Sequence, residues 1–111
     1  MDFAKLIEKA DEVKFAYAAL NDSAGRKHWG AREYAEGLTG DVGKLMKLIM
    51  AKENLRKRPD DLDKKIRHEL ADCLWSLIMI SEERDIDLGS VFLENMDELI
   101  SKIYRELRRG V

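Results

Sequence analysis

His68-Glu69-Leu70-Ala71-Asp72-Cys73-Leu74-Trp75 opens the run that decides the fold, and Ser76-Leu77-Ile78-Met79-Ile80 continues it. As a helix, this run is apolar over more than half its circumference from Cys73 to Ile80. Such a helix is expected to be buried nearly all round. Positions three apart share a helix face, so Glu69 and Asp72 enter that apolar surface together. Two carboxylates there require a compensating cation, because an unpaired buried charge is very costly. A divalent metal is the obvious candidate. So much apolar surface is too much for an isolated bundle this small, which predicts self-association.

Working outward, the chain has one proline in 111 residues and few β-branched runs, and its apolar spacing is helical. Phe3, Leu6, Ile7, Ala10, Val13 and Tyr17 predict a first helix over 2–20, with Asp2 as N-cap. The polar stretch from Asn21 to Lys27 reads as a loop. A second helix is expected over 31–55, on Tyr34, Leu38, Val42, Leu45, Leu48 and Ile49, ending ahead of Pro59. A third is expected over 61–84 and a fourth over 88–109, the last with Val91, Phe92, Met96, Leu99, Ile103 and Leu107 as its stripe. Four helices with short connections predict an all-α bundle forming a single domain over 1–111. Cys73, Trp75, Met46, Met50, Met79 and Met96 are its expected core candidates.

Charged residues are 38% and apolar residues 45% of the chain, which excludes a disordered segment. The net charge of −2 favours neither nucleic acid nor an anionic membrane as partner. No apolar stretch is long enough to span a bilayer, and the first residues do not resemble a secretory signal. Cys73 is a lone cysteine with no internal partner. The expectation is a cytoplasmic protein.

The second helix carries Gly37-Leu38-Thr39-Gly40-Asp41-Val42-Gly43-Lys44-Leu45. Three glycines each cost a helix roughly 1 kcal/mol relative to alanine, which predicts a close backbone approach or a bend. A phosphate-binding loop is excluded, since Leu38 and Leu45 stand where glycine and Ser or Thr are needed. If the second and third helices are antiparallel neighbours, Asp41 faces Glu69 and Asp72. Magnesium suits three such carboxylates, taking its remaining ligands from water and substrate phosphates. The competing reading makes Asp41–Lys44 an ordinary pair and has Lys47 or Arg67 answer Glu69 and Asp72. Trp29, just before the second helix, either stacks on a base or covers a bundle end. His68, next to Glu69 in sequence, is expected on a different face.

From Trp29 to Tyr104 the chain resembles the MazG-type all-α nucleoside triphosphate pyrophosphohydrolases. In that family a helix bearing E-x-x-E pairs with one bearing E-x-x-D, and the four acids bind magnesium. Here Gly40-Asp41-Val42-Gly43-Lys44-Leu45 resembles the first motif and Glu69-Leu70-Ala71-Asp72 the second. The stretch Ile86-Asp87-Leu88 with Phe92, Asn95, Met96 and Asp97 resembles the entry to the family's fourth helix. The resemblance implies a four- to five-helix MazG-like bundle assembled as a homodimer or homotetramer. It implies Mg2+, or Mn2+, on Asp41, Glu69 and Asp72, which would also be the catalytic residues. It further implies substrate contacts from Trp29 and Asn95, while Lys44 and Lys102, read from their own charge and place, are the lysines expected to reach substrate phosphate. Lys44 departs from the pattern, a cation standing where an acidic ligand is expected, and points to a one-metal or weakened site. Two functions follow as expectations. One is a magnesium-dependent hydrolase converting an NTP or dNTP to monophosphate and pyrophosphate. The alternative is a non-catalytic oligomer that binds nucleotide or a partner.

Overall fold

The computed structural model describes residues 2–110. It contains four helices: α1 (Phe3–Ser23), α2 (Ala31–Lys52), α3 (Leu62–Glu83) and α4 (Leu88–Arg108). No strand occurs among the described residues.

The helix ends have a shared local cause. After α1, Gly25 takes φ 68°, Gly25 N–H donates to Asp22 O and Arg26 N–H to Asn21 O at 2.8 Å. After α2, Asn54 takes φ 64°, donating to Ala51 O, with Leu55 N–H on Met50 O at 2.8 Å. After α3, Asp85 takes φ 53°, donating to Glu82 O, with Ile86 N–H on Ser81 O at 2.8 Å. These are Schellman motifs, in which one left-handed residue lets the chain satisfy the last carbonyls and turn away. They correct two expected boundaries. α1 continues past Leu20 to Ser23, because polarity does not end a helix until Gly25 supplies the turn. α2 stops at Lys52 rather than Leu55, because Asn54 ends it before Pro59 acts.

At the starts, Asp2 accepts from Lys5 N–H at 3.0 Å and Asp87 from Ser90 N–H at 3.3 Å. Gly30 cannot cap α2 with a side chain. Instead Glu33 Oε1 reaches back to Gly30 N–H at 2.8 Å, satisfying one donor.

α2 and α3 pack extensively on each other, and α1 lies across α3. The buried core comprises Ala10, Tyr34, Ile78 and Met79, with Phe3, Ile7, Trp75, Ile80 and Leu88 packed around it. Trp75 is half-buried and its indole N–H donates to Ala10 O at 3.1 Å, tying α3 to α1. Lys14 Nζ approaches Glu82 Oε1 at 3.5 Å across the same seam.

The four helices do not close around one core within the protomer. α4 touches the rest at its first turn: Leu88 packs on the core, and Phe3 Cδ2 lies 3.2 Å from where a Cβ on Gly89 would sit, so glycine there permits the approach. Every residue from Ser90 to Gly110 is exposed, including Leu99, Ile103 and Leu107 of the expected stripe. The radius of gyration is 17.9 Å, against about 13 Å for a compact domain of this length.

The open shape overturns other packing expectations. Met79 is fully buried, whereas Met46 and Met96 are exposed and Met50 and Cys73 half-buried. Leu74 and Leu77 of the apolar run are also exposed. Gly37, Gly40 and Gly43 make no close approach, since a Cβ at any of them would meet nothing within 4 Å. The expected close approach at these glycines is therefore absent among the described residues.

Candidate metal centre and its flanking hollows

The seam between α2 and α3 is antiparallel. Gly37 and Asp41 share a hollow with Ala71 to Ser76, while Lys44 to Leu48 share one with Asp61 to Glu69. Farther along, Lys52 Nζ meets Asp63 Oδ1 at 2.8 Å. This direction sets Asp41 of α2 against Glu69 and Asp72 of α3.

Each of the three acids contributes one oxygen to a group lying within 4.8 Å of one another, and all three side chains are half-buried. Glu69 Oε2 is shielded from solvent and has no hydrogen-bond partner. The Glu69 carboxyl is held above its ordinary pKa, first by desolvation and next by the Asp41 charge. Lys44 opposes that shift and Asp72 adds to it. Lys44 is therefore close enough to act on Glu69, yet does not satisfy its buried oxygen. Repulsion among like charges with an orphaned oxygen is a cost that a bound cation would relieve. Three carboxylates are hard oxygen donors with too few ligands to fill a coordination sphere, which suits a Mg2+ or Mn2+ that keeps waters and takes phosphate oxygens.

Asp72 is bonded on its other side. His68 Nε2 lies 3.0 Å from Asp72 Oδ2. His68 diverges from Glu69 by about 100° and is largely exposed, as expected, but it lies one turn from Asp72 and pairs with it. Surface pairing of Glu69 and Asp72 with Lys47 or Arg67 is thus not the arrangement present. The Cys73 thiol is pushed up by burial and then by Asp41, Glu69 and Asp72. It stays protonated at neutral pH and is no nucleophile.

The acids form a ridge between two hollows. On one side a cavity of about 750 Å3 is lined by Tyr17, Trp29, Tyr34, Trp75, Asp41 and Asp72, among others. The four aromatics form a cluster. Tyr17 stands 4.9 Å from Trp29 and 5.7 Å from Trp75, and Tyr34 meets Trp29 and Trp75 edge-on at 6.1 and 5.4 Å. Trp29 therefore belongs to this cluster, with over a third of its surface open. On the other side a groove of about 540 Å3 is lined by Lys44, Lys47, Lys64, Lys65, His68 and Glu69.

Of the residues singled out in the sequence, Asp41, Glu69, Asp72, Trp29 and Lys44 thus lie on these two hollows. Asn95 and Lys102 do not. They line a shallow surface made only of α4 residues, with no residue of α2 or α3. Sequence reading passed over Tyr17 and Tyr34, which it placed in apolar stripes, and Lys64 and Lys65 of the groove. A signal existed for the latter: Lys65, Glu69 and Asp72 fall at i, i+4 and i+7, one face of α3.

Residues 30–104 match the family model described as the MazG nucleotide pyrophosphohydrolase domain. No curated protein and no solved structure matches the chain.

Proposed function

The chain belongs to the MazG nucleotide pyrophosphohydrolase family, and from that premise we propose that it is a magnesium-dependent nucleoside triphosphate pyrophosphohydrolase. The reaction adds water to the α-phosphorus of an NTP or dNTP. The α–β bridging oxygen leaves with pyrophosphate, and the nucleoside monophosphate remains. The observation that carries this reading is the convergence of Asp41, Glu69 and Asp72 around a buried, unpartnered Glu69 oxygen.

In this reading the three acids hold one Mg2+, with Mn2+ as a substitute. The ion would neutralise charge on the polyphosphate and help position water. One of the three acids would also orient the attacking water. Asp72 is oriented by His68. Trp29 and the aromatics beside it offer faces to the base. Lys44 stands where the family has an acidic ligand, which keeps the site to one metal, and its ammonium would reach substrate phosphate instead. The test is pyrophosphate release across the common NTPs and dNTPs with Mg2+ or Mn2+. The second reading, a non-catalytic nucleotide binder, rests on Lys44 standing beside Glu69. It predicts thermal stabilisation by nucleotide plus metal without release.

We further propose that the chain acts as one domain completed by copies of itself, as a homodimer or homotetramer. Its accessible surface is 8726 Å2, roughly 2,400 Å2 more than a compact monomer of this mass exposes. An obligate interface buries 2,000–5,000 Å2 or more in total, so an excess of this size per protomer is of the right order. The α4 stripe, Leu74 and Leu77, and the open glycine face of α2 are the surfaces to be covered. Asn95 and Lys102 would then reach substrate from a neighbouring copy. No helix among the described residues is long and apolar enough to cross a membrane. We propose a cytoplasmic setting, in keeping with a lone cysteine.

A further inference from the structure

Of the lysines on the groove at the far side of the acids, only Lys44 has a part in the proposed reaction. Lys44 and Lys47 lie on one edge, three positions apart on α2, and Lys64 and Lys65 on the other, in the first turn of α3. Among the described residues none of these four has an ion-pair partner, whereas Lys9, Lys14, Lys27 and Lys52 do. His68, engaged with Asp72 through Nε2, also lines the groove, and the acids on the wall are Glu69 and, at the far end, Asp61. Unpaired ammonium groups gathered on one groove repel each other. In a chain of net charge −2 this local excess is not imposed by composition. A multiply charged anion relieves it, and the start of a helix favours the same sign of charge.

The direction of the seam orders the chemistry. Aromatic hollow, acid ridge and lysine groove follow one another along α2 and α3, with Asp41 and Asp72 on the aromatic side and Glu69 and Lys44 on the basic side. A nucleotide has the same order: base, α-phosphate, then the terminal phosphates. Resting on the proposed reaction, we infer that the groove of Lys44, Lys47, Lys64 and Lys65 binds the β- and γ-phosphates and holds the pyrophosphate that leaves. The lysines then stabilise charge building on the departing bridging oxygen as the α–β bond breaks. The groove also selects for two phosphates beyond the α position, so triphosphates are preferred over diphosphates.

The experiment compares the full chain with a Lys64→Ala/Lys65→Ala variant and with a Lys5→Ala/Lys9→Ala control of equal charge change. Inorganic tripolyphosphate and pyrophosphate are titrated calorimetrically in chelator, without metal, and KM is measured for a triphosphate and the matching diphosphate. Losing charged contacts to phosphate is expected to weaken tripolyphosphate binding about ten-fold or more in the groove variant. Its affinity for pyrophosphate and its preference for triphosphate over diphosphate should fall similarly, while the melting temperature stays put. Unchanged tripolyphosphate affinity in the groove variant, or an equal loss in the control, overturns the assignment. Tripolyphosphate binding that depends on Lys64 and Lys65, in a protein that releases no pyrophosphate, supports the groove and removes the hydrolase reading instead.

Discussion

Shortening Leu99 and Ile103 to alanine together should separate the protomers. The two residues lie one turn apart on α4, 46% and 49% exposed, so about half of each side chain remains to be covered by another copy. Each substitution removes three carbons, and a fully buried CH2 is worth about 0.8 kcal/mol. Half of that sum is roughly 1 kcal/mol per residue. A two-fold dimer carries each change twice, giving about 4 kcal/mol in all, or close to a thousand-fold in the dissociation constant. The residues touch nothing in their own protomer that needs them, so helicity should persist. Sedimentation velocity over a concentration series reads the effect directly. The wild type should sediment as a multiple of 12.8 kDa, and the variant should dissociate at concentrations where the wild type does not. A wild type that sediments at 12.8 kDa at all concentrations, or a variant with unchanged association, would refute the argument from α4.

Asp72→Ala should abolish pyrophosphate release, and retained turnover in a stopped assay would remove this acid from the metal site. Mg2+ or Mn2+ alone should raise the melting temperature of the wild type, and Asp41→Asn should erase that rise in differential scanning fluorimetry. Lys44→Glu, which restores the family pattern, should increase magnesium affinity or turnover; no gain in either counts against Lys44 as the weakening feature. Glu82 is held above its ordinary pKa by desolvation first and by the neighbouring Asp11, and Asp11 Oδ1 and Glu82 Oε2 are both buried without other partners. A raised acid favours folding below its unfolded pKa, and that contribution is lost as pH climbs through the folded value. Asp11→Asn should therefore raise the melting temperature above neutrality by a few degrees, the size expected for ~0.5–1 kcal/mol, with no difference near pH 4; a constant offset across pH would exclude the pair as the cause.

The acids were legible because their logic is local. Glu69 and Asp72 share a face by helical spacing alone, and Asp41 joins them if the two helices run antiparallel, which the short connection between them makes the simplest arrangement. The helix class was legible for the same reason. The ends were less so: polarity and Pro59 suggested stops, whereas Gly25 and Asn54 made them, because the left-handed turn is set by backbone conformation. The pairing of His68 with Asp72 was missed because attention to its neighbour Glu69 overlooked that residues four apart converge on a helix.

By itself the sequence determined what periodicity can encode: four amphipathic helices, a pair of carboxylates on an apolar face, and an oddly placed lysine at position 44. Only the tertiary structure decided which residues from different helices meet. It joined Tyr17 and Tyr34 to Trp29 and Trp75, set four lysines around one groove, and left the α2 glycines and the α4 stripe facing outward. The physical reason is that a helix face records how much surface must be covered, but the pattern is the same whether the cover comes from the same chain or from another.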